Sequence, residues 1–518
     1  MTNRSNAWND VKDVQSFPPN TFPYVLYYDE MESGNPLGSH KGTHKVGMVY
    51  ASLRCLPPHT YSKLENIFFV SCITSKLGKD IDSVLKYLIE EINDLYINGL
   101  VINERTYYFK MIGLVGDNLG QHQVLGFVES FRANFACIRC KAPRAMCQTM
   151  TKFDATFLRT PENYETDLEV NNVSETGINR RCILNDIVDY HVTSCIIYDI
   201  MHDLLEGVCN IGMSGVLKFF LKIPGINIDL INNRIECFDF GTHSNRPILL
   251  TMAKIEKGDL GMSASEMLNL VKYFSLIIGD LVPRENSIWE YYLVLNEILD
   301  ILLRKKISAN TVSYLDNLIS RHHFLYIEEF GPLKPKTHNM VHYSECIKKF
   351  GPLCHNWSMR FEAMHYKAKL YAQAVRSRVN VSKSILMRHN FTVAYETISG
   401  RKIGSFYESI SSPCGEEAEP YFKWIVLKGI KFEIGSFVMV EGSADLPKFG
   451  FIKYIMLENC RPFFVVNIVT TLSDYPHMRC YICDSEVTGF EIVDPSQCSH
   501  PVVYKPVGNL LYASNFGL

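Results

Sequence analysis

Short apolar runs separated by polar turns open the chain. Tyr24–Asp29 (YVLYYD) is rich in β-forming residues and ends in two acids, Asp29 and Glu30. Lys45–Cys55 (KVGMVYASLRC) alternates apolar and polar positions, and Leu64–Thr74 (LENIFFVSCIT) follows the Pro57-Pro58 break. All three read as strands. In Asp80–Leu95 the apolar positions are Ile81, Val84, Leu85, Leu88, Ile92 and Leu95. That spacing predicts an amphipathic helix, with Asp80 as its cap. A further strand, Tyr107–Val115, stops at Gly116-Asp117. The predicted order is β-β-β-α-β, with an acid closing the first and the fourth strand.

Beyond residue 150 the period changes to that of helices, clearest in Ile196–Val208, Ala264–Ile278, Ser287–Arg304 and Ala309–Arg321. Trp357–Arg378 is another good helix former. Gly400–Pro420 mixes Gly, Ser, Pro and Glu like a linker, and short β-runs fill the remainder. Three antiparallel strands that feed a helix and then a parallel strand follow the order of a ribonuclease-H-like core. The expected fold is therefore α/β: a ribonuclease-H-like catalytic core with a large all-α insertion, plus a small, barrel-like all-β domain at the C-terminus. The expected boundaries are a lead at 1–23, the core at 24–150 and 335–385, the insertion at 151–334, a linker at 386–420 and the β domain at 421–518. Because the first strand begins near Tyr24, this reading has no N-terminal accessory domain.

The chain has 518 residues and a net charge of −3, so a nucleic-acid surface would have to be a local patch. Its 16 cysteines are spread irregularly over a long chain, unlike a secreted disulfide framework, and are expected to be mostly reduced. The polar N-terminus and the lack of a long apolar run predict neither a secretory signal nor a membrane span.

Candidate chemistry starts with the acids. Asp29 and Asp117 would end neighbouring strands, and a third acid, Glu362, lies in the helix former at 357–378. Carboxylates shared by two metal ions are the usual device of phosphoryl transfer, and Mg²⁺ (or Mn²⁺) suits oxygen ligands. Each acid read alone is more often a solvated surface group. Cys137-x-x-Cys140 read alone is compatible with two buried thiols. His338-x-x-x-His342 puts two imidazoles on one helix face, and the four residues together make a closed zinc set. Such an ion would staple the ends of an insertion about 200 residues long.

The ordered set Asp29, Asp117, Cys137/Cys140, Met201-His202, His338/His342, Glu362 resembles the DDE transposases of the CACTA–Mirage–Chapaev group and, more distantly, the RAG/Transib recombinases. Cys137 follows Asp117 by 20 residues, and Glu362 follows His342 by 20. The resemblance spans about residues 24–380. It implies that Asp29, Asp117 and Glu362 form the metal-binding triad and that Cys137, Cys140, His338 and His342 bind Zn²⁺. It also implies metal-dependent DNA strand cleavage and transfer, a transposon-end-like DNA partner, a dimer or higher oligomer, and a nuclear location. Such transposases carry an N-terminal DNA-binding region that this reading lacks. The alternative is a catalytically inactive, domesticated relative acting on DNA or chromatin, or a zinc-stabilised protein-interaction scaffold.

Three further groups complete the reading. Asp199, His202, Asp203 and Glu206 sit at helical spacing in DIMHDLLEG, where they could support the active site, bind metal directly or form a solvated face. Arg139, Lys141, Arg144, Lys369 and Arg376 are the candidate phosphate contacts. Cys480, Cys483, Cys498 and His500 offer a second zinc set, although in a strand Cys480 and Cys483 would face opposite sides. The terminal β domain is expected to bind a protein partner of unknown identity.

Overall fold

The computed structural model describes residues 19–32, 45–56, 60, 63–74, 81–241, 245–374, 380–399, 409–411, 413–414, 421–440, 446–459 and 461–516. Asp80 and Arg376 lie outside the described residues. The chain is mixed α/β with a C-terminal all-β region. It divides into two compact units, one of Met1–Gly207 with Leu302–Ser405, the other of Val208–Ile301 with Phe406–Leu518. The stretch 151–334, read above as one insertion, is thus split between them.

The first unit is built on strands β1 (Thr21–Glu32), β2 (Lys45–Leu53), β3 (Ile67–Thr74), β4 (Leu100–Ile102) and β5 (Arg105–Gly116). Their order in the sheet is β3-β2-β1-β5-β4. β1 pairs antiparallel with β2 and parallel with β5, with Tyr28 opposite Gly116. Helix α1 (Asp82–Ile97) connects β3 to the β4–β5 hairpin. The stretch read as a helix from Ile196 instead begins with extended chain, where Ile196 bridges Leu114 in parallel on β5. The β-branched pair Ile196-Ile197 favours that extended form. The helix, α3 (Met201–Cys209), starts later and has the wide π geometry; α2 (Asn118–Leu125) directly follows Asp117.

Alternation along β1 sends its side chains to two different layers. Tyr24, Leu26 and Tyr28 join a core with Leu85, Ile89 and Ile92 of α1. Tyr27 points the other way and stacks on Phe361, ring centroids 4.6 Å apart and planes nearly parallel. Phe361 belongs to α7 (Met359–Gln373), which follows α4 (Ala309–Phe330), α5 (Pro335–Asn339) and α6 (Tyr343–Phe350). Asp29, two residues beyond Tyr27, therefore lies on the α7 side of the sheet. Helix α8 (Val381–Ile398) occupies residues that the sequence assigned to the start of the linker. The Gly/Pro-rich part of that linker lies beyond its end.

In the second unit, helices Asn210–Phe220, Ala264–Ile278 and Ser287–Leu302 accompany long antiparallel strands at Lys448–Glu458, Arg461–Tyr475 and Cys480–Val493. Trp289 Nε1 donates to the His477 carbonyl at 2.8 Å, and Arg479 reaches the buried Asp300 at 3.3 Å. Helices that the sequence placed in the insertion thus pack with the terminal strands in one unit.

Candidate metal centre and acidic site

Cys137 and Cys140 lie on a turn after α2. The backbone N–H groups of Arg139 and Cys140 both donate to Cys137 Sγ at 3.4 Å, which curls the loop around the sulfur. His338 is on α5 and His342 ends the 3₁₀ turn Met340–His342. Cys137 Sγ lies 3.5 Å from His342 Nε2, and Cys140 Sγ lies 3.4 Å from His338 Nε2. All four ligand atoms fall within 4.8 Å of one another, and all four residues are buried. Two thiols and two Nε2 atoms turned to one point have the chemistry and spacing of a closed tetrahedral site, so the cluster could hold a zinc ion. Burial keeps the His342 pKa below its usual value, which favours the neutral, ligating ring.

Arg159 supports this loop, and sequence reasoning missed it. It is buried, with Nε on the Cys137 carbonyl at 3.2 Å and Nη2 on the Thr176 carbonyl at 2.8 Å. Its charge is balanced by Asp167 at 3.4 Å, which also takes Lys141 Nζ at 2.7 Å. Two of the candidate phosphate contacts are therefore engaged internally: Lys141 with Asp167, and Arg139 with the Thr193 carbonyl. Arg144 and Lys369 are exposed.

Asp117 directly follows β5, whereas Asp29 lies inside β1, which runs on to Glu32 rather than ending at Asp29, and comes just past the last residue of β1 that pairs with β5. Since Tyr28 faces Gly116, Asp29 and Asp117 follow on adjacent parallel strands. Gly116 is required there, because a Cβ would come within 2.5 Å of the Tyr28 carbonyl oxygen. Asp117 caps α2, accepting from the Gly120 N–H at 2.5 Å. Asp29 accepts from the Glu30 N–H at 2.7 Å and from the Tyr27 hydroxyl at 3.2 Å, with His365 Nδ1 at 3.7 Å. Burial, then the charge of Asp117, pushes its pKa up to about 7, with a smaller upward push from Glu362. Mutual repulsion of this kind marks carboxylates crowded without a counter-cation.

Glu362 Oε1 is 2.9 Å from His202 Nε2, and His202 Nδ1 is 2.6 Å from the buried Asp199. Burial alone would lower the pKa of His202, but its bonds to Asp199 and Glu362 raise it to about 11, so the ring is an imidazolium. Asp199 also accepts from the Ser358 hydroxyl and, at 3.0 Å each, from the N–H groups of Ser358 and Met201. Asp203 is fully buried and takes Asn118 Nδ2 at 2.6 Å and Asn339 Nδ2 at 3.2 Å; burial raises its pKa to about 6. Glu206 is exposed on the same helix. Lys336 donates to the His202 carbonyl at 2.7 Å and lies against Gly207, where any Cβ would sit 2.4 Å from its Cδ.

Among the described residues, the Cys/His set is the one group of three or more such ligands gathered closely enough to hold a metal. Asp29, Asp117 and Glu362 do not form such a set, and neither do Cys480, Cys483, Cys498 and His500. Cys480 and Cys483 are both buried in the strand Cys480–Val493, whose pairing with its neighbour shifts register. Ser358, Lys336, Asn118 and Asn339 also escaped the sequence reading. The only signal was position, since Asn118 follows Asp117 and Asn339 follows His338. No helix among the described residues is long and apolar enough to cross a membrane. No protein-family model matches the chain, and no curated protein matches it.

Proposed function

We propose that the first unit is a ribonuclease-H-like, transposase-type core that cleaves and joins DNA strands by metal-dependent phosphodiester chemistry. The observation that carries this reading is the parallel register of β1 and β5, which brings Asp29 and Asp117 next to one another where the β1–β5 pairing ends, on an edge also reached by Glu362. The antiparallel β1–β3 run, the connecting helix and the parallel extension at Ile196 support the same fold assignment. Divalent ions such as Mg²⁺ or Mn²⁺, held by Asp29, Asp117 and Glu362, would activate the attacking oxygen and stabilise the leaving one. Asp29 must be ionised to hold such an ion, and a bound cation would itself favour the ionised form. The His202 imidazolium orients Glu362 and is itself anchored by Asp199. The Cys₂His₂ cluster fixes the chain that follows Asp117 and the chain that precedes Glu362. The proposed substrate implies a transposon-end-like DNA partner, a nuclear location and a dimer or higher oligomer; the terminal β region would serve a protein partner.

The test is Mg²⁺- or Mn²⁺-dependent nicking of supercoiled DNA by the purified chain, set against Asp117→Ala. Nicking by the wild type and loss in the variant are expected; two equally inert proteins would refute catalysis. One observation favours a second reading, a non-catalytic DNA-binding or zinc-stabilised scaffold. Glu362 is already paired with His202, and the three acids are not gathered as metal ligands. Under the scaffold form of that reading, zinc content would persist while DNA affinity at low salt stayed undetectable.

A further inference from the structure

A cavity of about 280 Å³ opens between α2, the Cys137–Cys140 turn and α5. That is just below the roughly 300–1,000 Å³ of the clefts that take drug-sized ligands, a size suited to a smaller one. Its inner wall includes His122, Cys137 and His338, all buried. Arg132, Arg144 and Lys334 line it as exposed cations. None of the three pairs with an acid among the described residues, and no described Asp or Glu lines the cavity. Phe131 contributes a ring, set edge-on to His122 at 5.1 Å between centroids. Asn134 and Gln148 add amide groups that both donate and accept. A site with surplus positive charge, one aromatic face and amide edges selects a ligand with an anionic end and a planar, hydrogen-bonding end.

We propose that this cavity is a mononucleotide site. The phosphate is held by Arg132, Arg144 and Lys334, and the base lies against Phe131 with its edge toward Asn134 or Gln148. Guanidinium groups suit phosphate because they offer paired donors in a fixed fork, and base stacking on an aromatic ring tolerates any base. A bare phosphate would use the cations and leave the ring and the amides idle. Two sources carry this chemistry, a free nucleotide and the phosphorylated end of a DNA strand. Asn118 lines the same cavity and directly follows Asp117, so a strand end bound here would lie beside the acidic edge. That last step rests on the proposed function; the nucleotide site itself does not.

Calorimetric titration of the full chain, without added divalent cation, tests it with three probes: 5′-deoxyadenylate, a short 5′-phosphorylated oligodeoxynucleotide and inorganic phosphate. Saturable binding of at least one nucleotide probe, tighter than phosphate, is expected. The double variant Arg132→Glu/Arg144→Glu should weaken it at least tenfold, whereas Lys86→Glu, on the exposed side of α1, should leave it unchanged. Phe131→Ala should weaken nucleotide binding roughly tenfold, as expected for lost base stacking, without changing phosphate binding. Zinc content and thermal unfolding show whether each variant remains folded. Tighter binding of the oligonucleotide assigns a strand end; binding of the mononucleotide at least as tight assigns a free nucleotide. The proposal is overturned if neither nucleotide probe binds, if phosphate binds as tightly as both, or if the folded double variant binds like the wild type. Asp29→Ala separates the two claims, because it should abolish nicking and preserve nucleotide binding.

Discussion

Replacing Cys140 by alanine puts the metal centre to its most direct test. The cluster joins Cys140 to His338, 198 residues further along the chain. A crosslink closing a loop of that length removes about 5 kcal/mol of chain entropy from the unfolded state. Part of that gain is offset because an unfolded chain can still bind zinc weakly through a Cys-x-x-Cys pair. Losing one of four ligands should therefore cost about 2–5 kcal/mol. The proper control is Cys182→Ala, which removes an equally buried thiol outside the cluster. That change loses only packing, about 1 kcal/mol. The assay is zinc stoichiometry by elemental analysis together with urea unfolding, each run with and without a chelator. Wild type and Cys182→Ala should carry one zinc and lose stability on chelation; Cys140→Ala should carry less and respond little. A wild-type protein purified without zinc, or a Cys140→Ala variant no less stable than Cys182→Ala, would refute the reasoning.

Three other outcomes follow from the charged groups. The pKa of Asp29 is raised from 3.8 to about 7, so its contribution to stability is complete below about pH 3.8 and is lost as pH rises through about 7. Asp29→Asn should therefore be more stable than wild type at pH 8 without divalent ions, by about 2 kcal/mol out of a ceiling near 4 set by ~1.36 kcal/mol per pH decade, and about equal to it at pH 4. Urea midpoints at the two pH values check this. His202 is raised from 6.5 to about 11, so its contribution is complete below about pH 6.5 and fades toward pH 11. His202→Gln should flatten stability over that window and cost about 3 kcal/mol at pH 7 by leaving Asp199 buried without its cation, as read from thermal unfolding across pH. Arg159→Met should cost about 2 kcal/mol and weaken zinc retention against a chelator, because it leaves Asp167 with Lys141 as its one cation and frees the Cys137 carbonyl.

The sequence exposed those parts of the fold that follow a simple period or a specific chemistry. Alternation found β2, short β-rich or apolar runs found β1, β3 and β5, and the 3.6-residue spacing found α1 and the helix Ala264–Ile278. Cysteine and histidine have few common reasons to occur as Cys-x-x-Cys and His-x-x-x-His, so the metal cluster could be paired across 198 residues. Features set by tertiary contacts escaped. Lys336 donates to the His202 carbonyl within the wide turns of α3 and packs against Gly207, contacts that no local pattern records. Helix α4 runs on to Phe330, past the expected end at Arg321, because His322, His323, Leu325 and Tyr326 are buried by packing. Lys141 looks like a phosphate contact in the sequence and is instead the partner of a buried carboxylate.

The metal cluster and the acidic edge are one construction, and Asp203 is the reason. Its buried carboxylate draws in Asn118, the neighbour of Asp117, and Asn339, the neighbour of His338. A buried acid with amide donors and no direct cation is costly, and burial has already raised its pKa to about 6. It is tolerable only while both asparagines stay in place, and each is held by an element that the cluster or the strand end fixes. Displacing α5, as loss of an ion bound at the cluster would do, would strip Asn339 from Asp203 and leave Asn118 as its remaining side-chain partner. Strain at the zinc ligands would therefore reach the residue beside Asp117 through two hydrogen bonds. A metal bound at this cluster would therefore do more than close a long loop, because it would also hold the α2 start at which Asp117 caps the helix.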